Sequence, residues 1–149
     1  MTKAAGAAFV VLLSLASAAC RSAPANEQEK LEQAFAKKMT GATLVGRFAS
    51  RKSDKLNEDR YTISKVSKLA GNVWIFQARI QYGEHDVNVP VPVKIMWAGD
   101  TPVITMTDAG VPGMGKFTVR LLFYGDEYAG TWANDHGGGG TMFGRIEKP

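Results

Sequence analysis

The fold is decided by one stretch, Lys116-Phe-Thr-Val-Arg-Leu-Leu-Phe-Tyr-Gly-Asp-Glu-Tyr-Ala-Gly-Thr-Trp132, in which apolar residues alternate on both sides of a Gly-Asp break. The alternating positions carry Phe117, Val119, Leu121, Phe123, Tyr128, Gly130 and Trp132. Successive side chains of a strand point to opposite faces, so such a run buries one face and exposes the other. The stretch therefore predicts a β-hairpin.

Similar alternation recurs along the chain after Gly41. It predicts further strands at residues 42–50, 60–69, 73–82, 87–97, 101–108 and 141–146. Longer connections are expected at residues 51–59, 110–115 and 134–140, with tight turns elsewhere. Val66 falls out of phase with Tyr61 and Ile63, which predicts a bulge in the second strand.

The fourth predicted strand contains two prolines, Pro90 and Pro92, at positions of the same parity. Their missing amides would face the same neighbouring strand, because alternate residues bond to the same side. We therefore expect that side of the strand to be locally unpaired.

Eight strands without crossover helices favour antiparallel neighbours joined in sequence. An open sheet of this kind has two exposed edges, and closure of the first strand on the last removes both. The predicted fold is all-β, an eight-stranded up-and-down barrel with a short N-terminal helix. A two-sheet β-sandwich of the same strands is the alternative.

The helix is predicted at residues 27–39. Asn26 and Glu29 have the spacing of a capping box, and Thr40-Gly41 marks the end. The apolar positions at helical spacing form a narrow stripe: Leu31, Ala34 and Phe35. We expect the helix to pack on the barrel rather than on a membrane surface.

The N-terminal segment has the order of a secretory leader. Lys3 precedes the apolar residues 7–15, and Ser17-Ala18-Ala19 provides a small-residue cleavage region. We predict a signal peptide at residues 1–19, a tether at 20–25 and one domain at 26–149. The 45% hydrophobic and 21% charged fractions are those of a globular domain.

Cys20 follows this region directly and is the single cysteine. Its context resembles the lipobox of bacterial lipoproteins, which implies that Cys20 is lipidated and anchors the protein in the periplasm or at the outer membrane. Ordinary cleavage, which would leave a free thiol on a secreted protein, is the alternative. Membrane contact is expected only through this anchor.

Several short pieces support a wider resemblance. The helix, Gly46-x-Phe48, Tyr128-Ala-Gly-Thr-Trp132 and Phe143-Gly-Arg-Ile146 together resemble lipocalin-like, or calycin-like, small exported β-barrel proteins of bacteria. This resemblance implies the barrel fold and export.

Two functional hypotheses follow from a barrel. In the first, the interior binds a small apolar or amphipathic ligand, and the candidate lining residues are the inward aromatics Trp74, Phe76, Trp97, Phe117, Phe123 and Trp132. In the second, these rings fill the interior. The protein then acts through its rim loops as an interaction module, such as an inhibitor of a secreted hydrolase or a structural lipoprotein.

Alternate connections of such a barrel lie at one end, which places the polar candidates His85, Asp86, Asp135 and His136 on a single rim. With Glu84 they offer the donor types of a transition-metal site, but we favour solvent-facing turns. The sequence has no nucleophile motif and no metal-spaced His or Cys pair, so we expect neither an enzyme nor a cofactor.

The formal net charge is +4, and basic residues gather between Arg47 and Lys68. A solvated face explains this grouping, although an anionic surface would also suit it. Export argues against nucleic acid as a partner.

Overall fold

The computed structural model describes residues 23–149 of the chain, with side chains from residue 27 onward. Its elements in chain order are α1 (Ala23–Met39), β1 (Thr43–Ser50), β2 (Ser53–Ala70), β3 (Val73–Tyr82), β4 (His85–Ala98), β5 (Thr101–Val111), β6 (Gly115–Tyr124), β7 (Glu127–Asn134) and β8 (Gly139–Glu147). The predicted leader and the predicted lipidation residue Cys20 lie outside the described residues.

The eight strands form a closed barrel in which each strand is antiparallel to the next. The barrel closes where β8 pairs with β1, with Leu44 opposite Ile146 and Gly46 opposite Gly144. The predicted up-and-down barrel is thus confirmed, and the sandwich alternative is wrong. A register shift between Ile63 and Lys65 confirms the bulge expected in β2.

The helix α1 closes one end of the barrel. It begins at Ala23, before the predicted cap at Asn26, and Pro24 lies in its first turn, where a missing amide is tolerated. Phe35 and Met39 are buried in the core. Lys148 Nζ donates to the carbonyl oxygens of Lys37 and Thr40 at 3.1 and 2.8 Å, which satisfies the last turn of the helix.

The opposite end differs from the prediction in one respect. Residues 51–59 were expected to form a charged loop, but β2 begins at Ser53, leaving residues 51–52 as the turn. Residues 53–58 pair with β1 alone, because pairing with β3 begins at Asp59, and they are mostly exposed. A strand segment whose two faces are both exposed to solvent has no alternation of apolar and polar residues. The sequence of this segment therefore resembles that of a loop.

The other two long connections are also shorter than predicted. β5 extends to Val111 and β6 starts at Gly115, so the turn covers only residues 112–114. The connection from β7 to β8 covers residues 135–138. This rim therefore consists of tight turns rather than long loops.

The wall between β4 and β5 carries a short ladder. These strands pair over residues 94–98 and 101–105, while residues 85–93 of β4 pair with β3. Ile95 donates its N–H to Asn72 O at 2.8 Å, so odd-numbered amides of β4 point towards β3 and even-numbered ones towards β5. Pro90 and Pro92 therefore lie on the side that the ladder leaves unpaired, as predicted.

A bulge in β5 accounts for the other half of this seam. The register of β5 against β6 shifts between Met106 and Ala109, and Asp108 has a φ of 47°. The Asp108 N–H donates to Thr118 Oγ1 at 3.1 Å, and Arg120 donates to Thr107 Oγ1 at 2.8 Å and to Met106 O. These bonds hold β5 in a bent course at the point where its pairing with β4 has ended.

The described part of the chain contains no helix with the length and apolar character that crossing a bilayer requires.

Candidate functional site: the barrel cavity

The barrel interior contains a cavity of about 210 Å³. Its wall is mainly aliphatic, aromatic and methionine side chains from all parts of the sheet, among them Ile63, Phe76, Ile104, Met106, Phe117 and Val119. The alternation along the strands produces this wall, since every second residue points inward. The barrel interior is therefore partly unfilled, and its wall is strongly apolar.

The six aromatic residues predicted for the lining divide into two groups. Phe76, Phe117 and Trp132 line the cavity. The other three are Trp74, Trp97 and Phe123, which lie outside its lining. Strand parity identifies inward residues but says nothing of their height along the barrel axis.

Phe35 from α1 explains where two of these rings lie. Its ring centroid is 5.6 Å from that of Phe123 and 6.1 Å from that of Trp97. Trp74 is buried, with the ammonium of Lys68 5.8 Å from its ring centroid. The helix and these side chains fill the end of the barrel that α1 closes.

An aromatic group stands at the other end of the cavity. Phe48 makes edge-to-face contacts with Trp132 and Tyr82, with ring centroids 5.7 and 6.1 Å apart. All three line the cavity. The Tyr82 ring in turn lies 4.7 Å from the imidazole of His85, which is exposed.

The four polar rim residues lie at the same end of the barrel, as the strand order requires. Asp86 accepts hydrogen bonds from Arg79 Nε and Nη2 at 2.7 and 2.6 Å, and this partner lowers the pKa of the Asp86 carboxyl. His136 Nε2 lies 3.5 Å from Asp135 Oδ1. Asp86 is thus paired with Arg79 and His136 with Asp135, while His85 lies against Tyr82.

No group of three or more His, Cys, Asp and Glu side chains within residues 23–149 is arranged to hold a metal ion. The donor types that the sequence brings to the rim are thus not gathered into one cluster there.

The cavity wall also contains a buried carboxyl group that the sequence analysis did not select. Asp59 is only 4% exposed and is the one charged side chain of the cavity lining in the described chain. Tyr61 Oη donates to its Oδ2 at 3.2 Å, and Tyr128 Oη lies 3.5 Å from its Oδ1. The available signal was its parity, because Asp59 shares a face with Tyr61 and Ile63.

Burial raises the pKa of the Asp59 carboxyl from an ordinary 3.8 to about 6, against the opposing effect of the two tyrosine hydrogen bonds. Burial and the nearby Asp59 charge raise the pKa of both tyrosines, which keeps Tyr61 and Tyr128 protonated as donors. The cluster can therefore gain or lose a proton at Asp59 near pH 6.

Two glycines make room for this cluster. A Cβ at Gly46 would overlap the Tyr128 hydroxyl and lie 2.9 Å from Asp59 Oδ1, and one at Gly144 would lie 2.8 Å from the same hydroxyl. Gly46 and Gly144 are paired across β1 and β8. Tyr128 can reach Asp59 because neither neighbour carries a side chain.

The indole nitrogen of Trp132 is a second polar feature. Within residues 27–149, the Nε1 atoms of Trp74, Trp97 and Trp132 are buried without a hydrogen-bond partner. Trp132 differs from the other two because it lines the cavity. An unpaired buried donor has a free-energy cost that a suitable acceptor removes.

Comparison with known proteins finds no match to a family model, to a curated protein or to a solved structure. What the cavity can bind is therefore inferred from its geometry alone.

Proposed function

We propose that the protein is an exported binding protein whose barrel holds one small, mostly apolar ligand. The observation that carries this proposal is the apolar cavity of about 210 Å³. An apolar cavity of roughly 150 Å³ is enough to admit benzene. The expected ligand is therefore about the size of one ring with a short substituent.

The free-energy cost of a cavity in the barrel favours the binding of a ligand. Side chains around an empty space lose contacts, so a cavity destabilises the barrel unless something occupies it. Phe35 and its aromatic neighbours fill the closed end, whereas the space between Phe76 and Trp132 is left open. A ligand would restore contacts in that space.

The seam between β4 and β5 provides a route for the ligand. Residues 85–93 and 106–111 lie beyond the end of their mutual ladder, so parting them breaks few backbone hydrogen bonds. Val91, Val93, Met106 and Val111 line the cavity from the two sides of this seam. Their separation would expose the interior.

Thermal unfolding with and without 2-phenylethanol tests the proposal. A ligand that binds only the folded state stabilises it, by about 2.7 kcal/mol at a hundredfold excess over Kd. Ala78 lines the cavity, whereas Ala129 is exposed on the outer wall. We expect the stabilisation to be lost in Ala78→Leu and kept in Ala129→Leu.

The absence of a shift in the wild-type protein, tested up to the solubility limit with phenols and short-chain alkylbenzenes as well, would refute ligand binding. An equal shift in both alanine variants would show that the compound binds elsewhere.

The proposal includes lipocalin-like ancestry, export and lipidation of Cys20, with the protein held in the periplasm or at the outer membrane. The leader pattern and the closed eight-stranded barrel support it. Intact mass spectrometry of protein from its native membrane fraction tests the anchor. Diacylated or triacylated Cys20 is expected, and an unmodified mature chain would contradict it.

A second candidate function is the binding of a partner protein at the rim. In both this candidate and the cavity proposal, the role is binding rather than catalysis. Its support is the edge of residues 53–58, which in the described chain pairs with β1 on one side only. An extended peptide can add to such an edge through backbone hydrogen bonds. A partner bound there would protect these amides from hydrogen exchange and leave the cavity unaffected.

A further inference from the structure

The proposed ligand site contains one feature that an apolar ligand does not explain. Asp59 is a buried carboxyl group in a wall of hydrocarbon, and its two hydrogen bonds are long, at 3.2 and 3.5 Å. A buried carboxylate is costly unless it is paired and fully hydrogen-bonded. Each carboxylate oxygen accepts more than one hydrogen bond, so both retain acceptor capacity.

No basic side chain within residues 27–149 is hydrogen-bonded to Asp59, and the nearby Arg47, Arg60 and Arg145 are exposed on the outer face of the barrel. The titratable side chains facing it within the described chain are tyrosines: Tyr61 on β2, Tyr128 on β7 and Tyr82, which is opposite it on β3. From β1 and β8 it meets Gly46 and Gly144. The carboxyl group is thus set among donors that stay neutral.

From these contacts we infer that the cavity selects a small amphipathic amine, whose ammonium group pairs with the Asp59 carboxylate while its apolar body fills the space between Phe76 and Phe117. This inference rests on the proposed function, because it names the chemical class of the ligand for the same cavity.

The free-energy balance favours an amine over other ligands of the same size. Asp59 is desolvated before any ligand binds, so its share of the cost of forming a buried ion pair is already present in the free protein. Tyr61 and Tyr128 fix the position of the carboxyl oxygens. A carboxylic acid would place like charges together, and an alcohol would leave the Asp59 charge without a counterion.

The aromatic wall receives the apolar body of the ligand. Phe76 and Phe117 line the cavity, and their rings offer contact surface to an aromatic group. The indole N–H of Trp132 is a donor and cannot bind an ammonium, so the amine is directed to Asp59.

Three probes of matched size test the inference: 2-phenylethylamine, 2-phenylethanol and phenylacetate. Isothermal titration calorimetry at pH 8 should give the amine an affinity about tenfold or more above that of the alcohol, with phenylacetate weakest. In Asp59→Asn this preference should disappear, whereas 2-phenylethanol should still bind. Retained alcohol binding shows that the variant is folded with an intact cavity.

The pH dependence gives an independent readout. An amine needs the ionised carboxylate, so its affinity for the wild-type protein should fall as the pH drops below about 6, the pKa of Asp59 in the free protein. The affinity for the alcohol should change little over that range. Asp59→Asn should lose the pH dependence of amine binding.

The outcomes separate this inference from the proposed function. Binding of 2-phenylethanol without a preference for the amine, or a preference that survives Asp59→Asn, would overturn the amine specificity and leave the binding role intact. Tighter binding of phenylacetate would also overturn it. Failure of all three probes to bind would reject the apolar binding site itself, and the inference with it.

Discussion

Tyr128 extends across Gly46 and Gly144 and brings its hydroxyl to within 3.5 Å of the Asp59 carboxyl oxygen Oδ1. The contact joins β7 to β2 through the barrel interior, across the two strands that close the sheet. It places the one charged group of the described cavity wall at a fixed position.

Gly46→Ala should destabilise the protein by about 1–3 kcal/mol, because the new methyl group overlaps the Tyr128 hydroxyl and lies 2.5 Å from the Phe143 carbonyl oxygen. Gly110→Ala is the matched control, since a Cβ at that strand glycine meets nothing within 4 Å. Urea unfolding of both variants measures the difference. Equal stabilities would show that Gly46 is not needed for the Tyr128 contact.

Asp59→Asn should change the pH dependence of stability. The folded state holds the Asp59 proton up to about pH 6, and the unfolded state releases it near pH 3.8. The stability that this proton binding contributes is therefore complete below pH 3.8 and is lost as the pH rises through 6. Relative to the variant, the wild-type protein should lose about 2 kcal/mol between pH 4 and pH 8.

Urea unfolding of both proteins across that range measures this difference, and the comparison cancels the contributions of carboxyl groups common to both. A difference in unfolding free energy that does not vary with pH would show that Asp59 titrates normally.

Phe35→Ala should destabilise the barrel by about 3–5 kcal/mol, because Phe35 is buried against Phe76, Trp97 and Phe123 at the closed end. Lys37→Ala, at an exposed position of the same helix, should change stability by less than about 0.5 kcal/mol. Thermal unfolding and near-ultraviolet circular dichroism measure both. If the two variants behave alike, α1 does not close the barrel.

Amide exchange should be uneven along β4. The N–H of Asn88 points to the unpaired side of the strand, and that of Val89 points to β3. Asn88 should therefore exchange much faster than Val89, since an amide outside a ladder is protected little. Hydrogen exchange followed by NMR measures each amide. Equal protection would mean that the seam between β4 and β5 is closed by hydrogen bonds.

Much of the fold follows from side-chain alternation. β3 was predicted at residues 73–82, and the observed bounds are the same, because its apolar face is continuous and turns flank both ends. The shared parity of Pro90 and Pro92 also predicts the unpaired side of β4, and β4 pairs with β5 only from Lys94 onward. Features that depend on residues close together in the chain can therefore be predicted from the sequence.

The missed features depend on contacts that are distant in sequence. Residues 53–58 form a strand because β1 lies beside them, and nothing in their own composition requires it. Asp59 is a buried carboxyl group because Gly46 on β1 and Tyr128 on β7 lie next to it in the fold. Trp74, Trp97 and Phe123 point inward as expected, but their height in the barrel depends on strand stagger and on Phe35.

The most direct measurement of the central claim is an NMR titration of methyl-labelled protein with 2-phenylethanol. Binding in the barrel predicts saturable shifts at the cavity methyl groups of Ile63, Ile104 and Met106, and unchanged signals from the exposed Met96 and Leu122 on the outer wall. Shifts confined to Met96 and Leu122, or no shifts up to the solubility limit, would contradict a ligand-binding cavity.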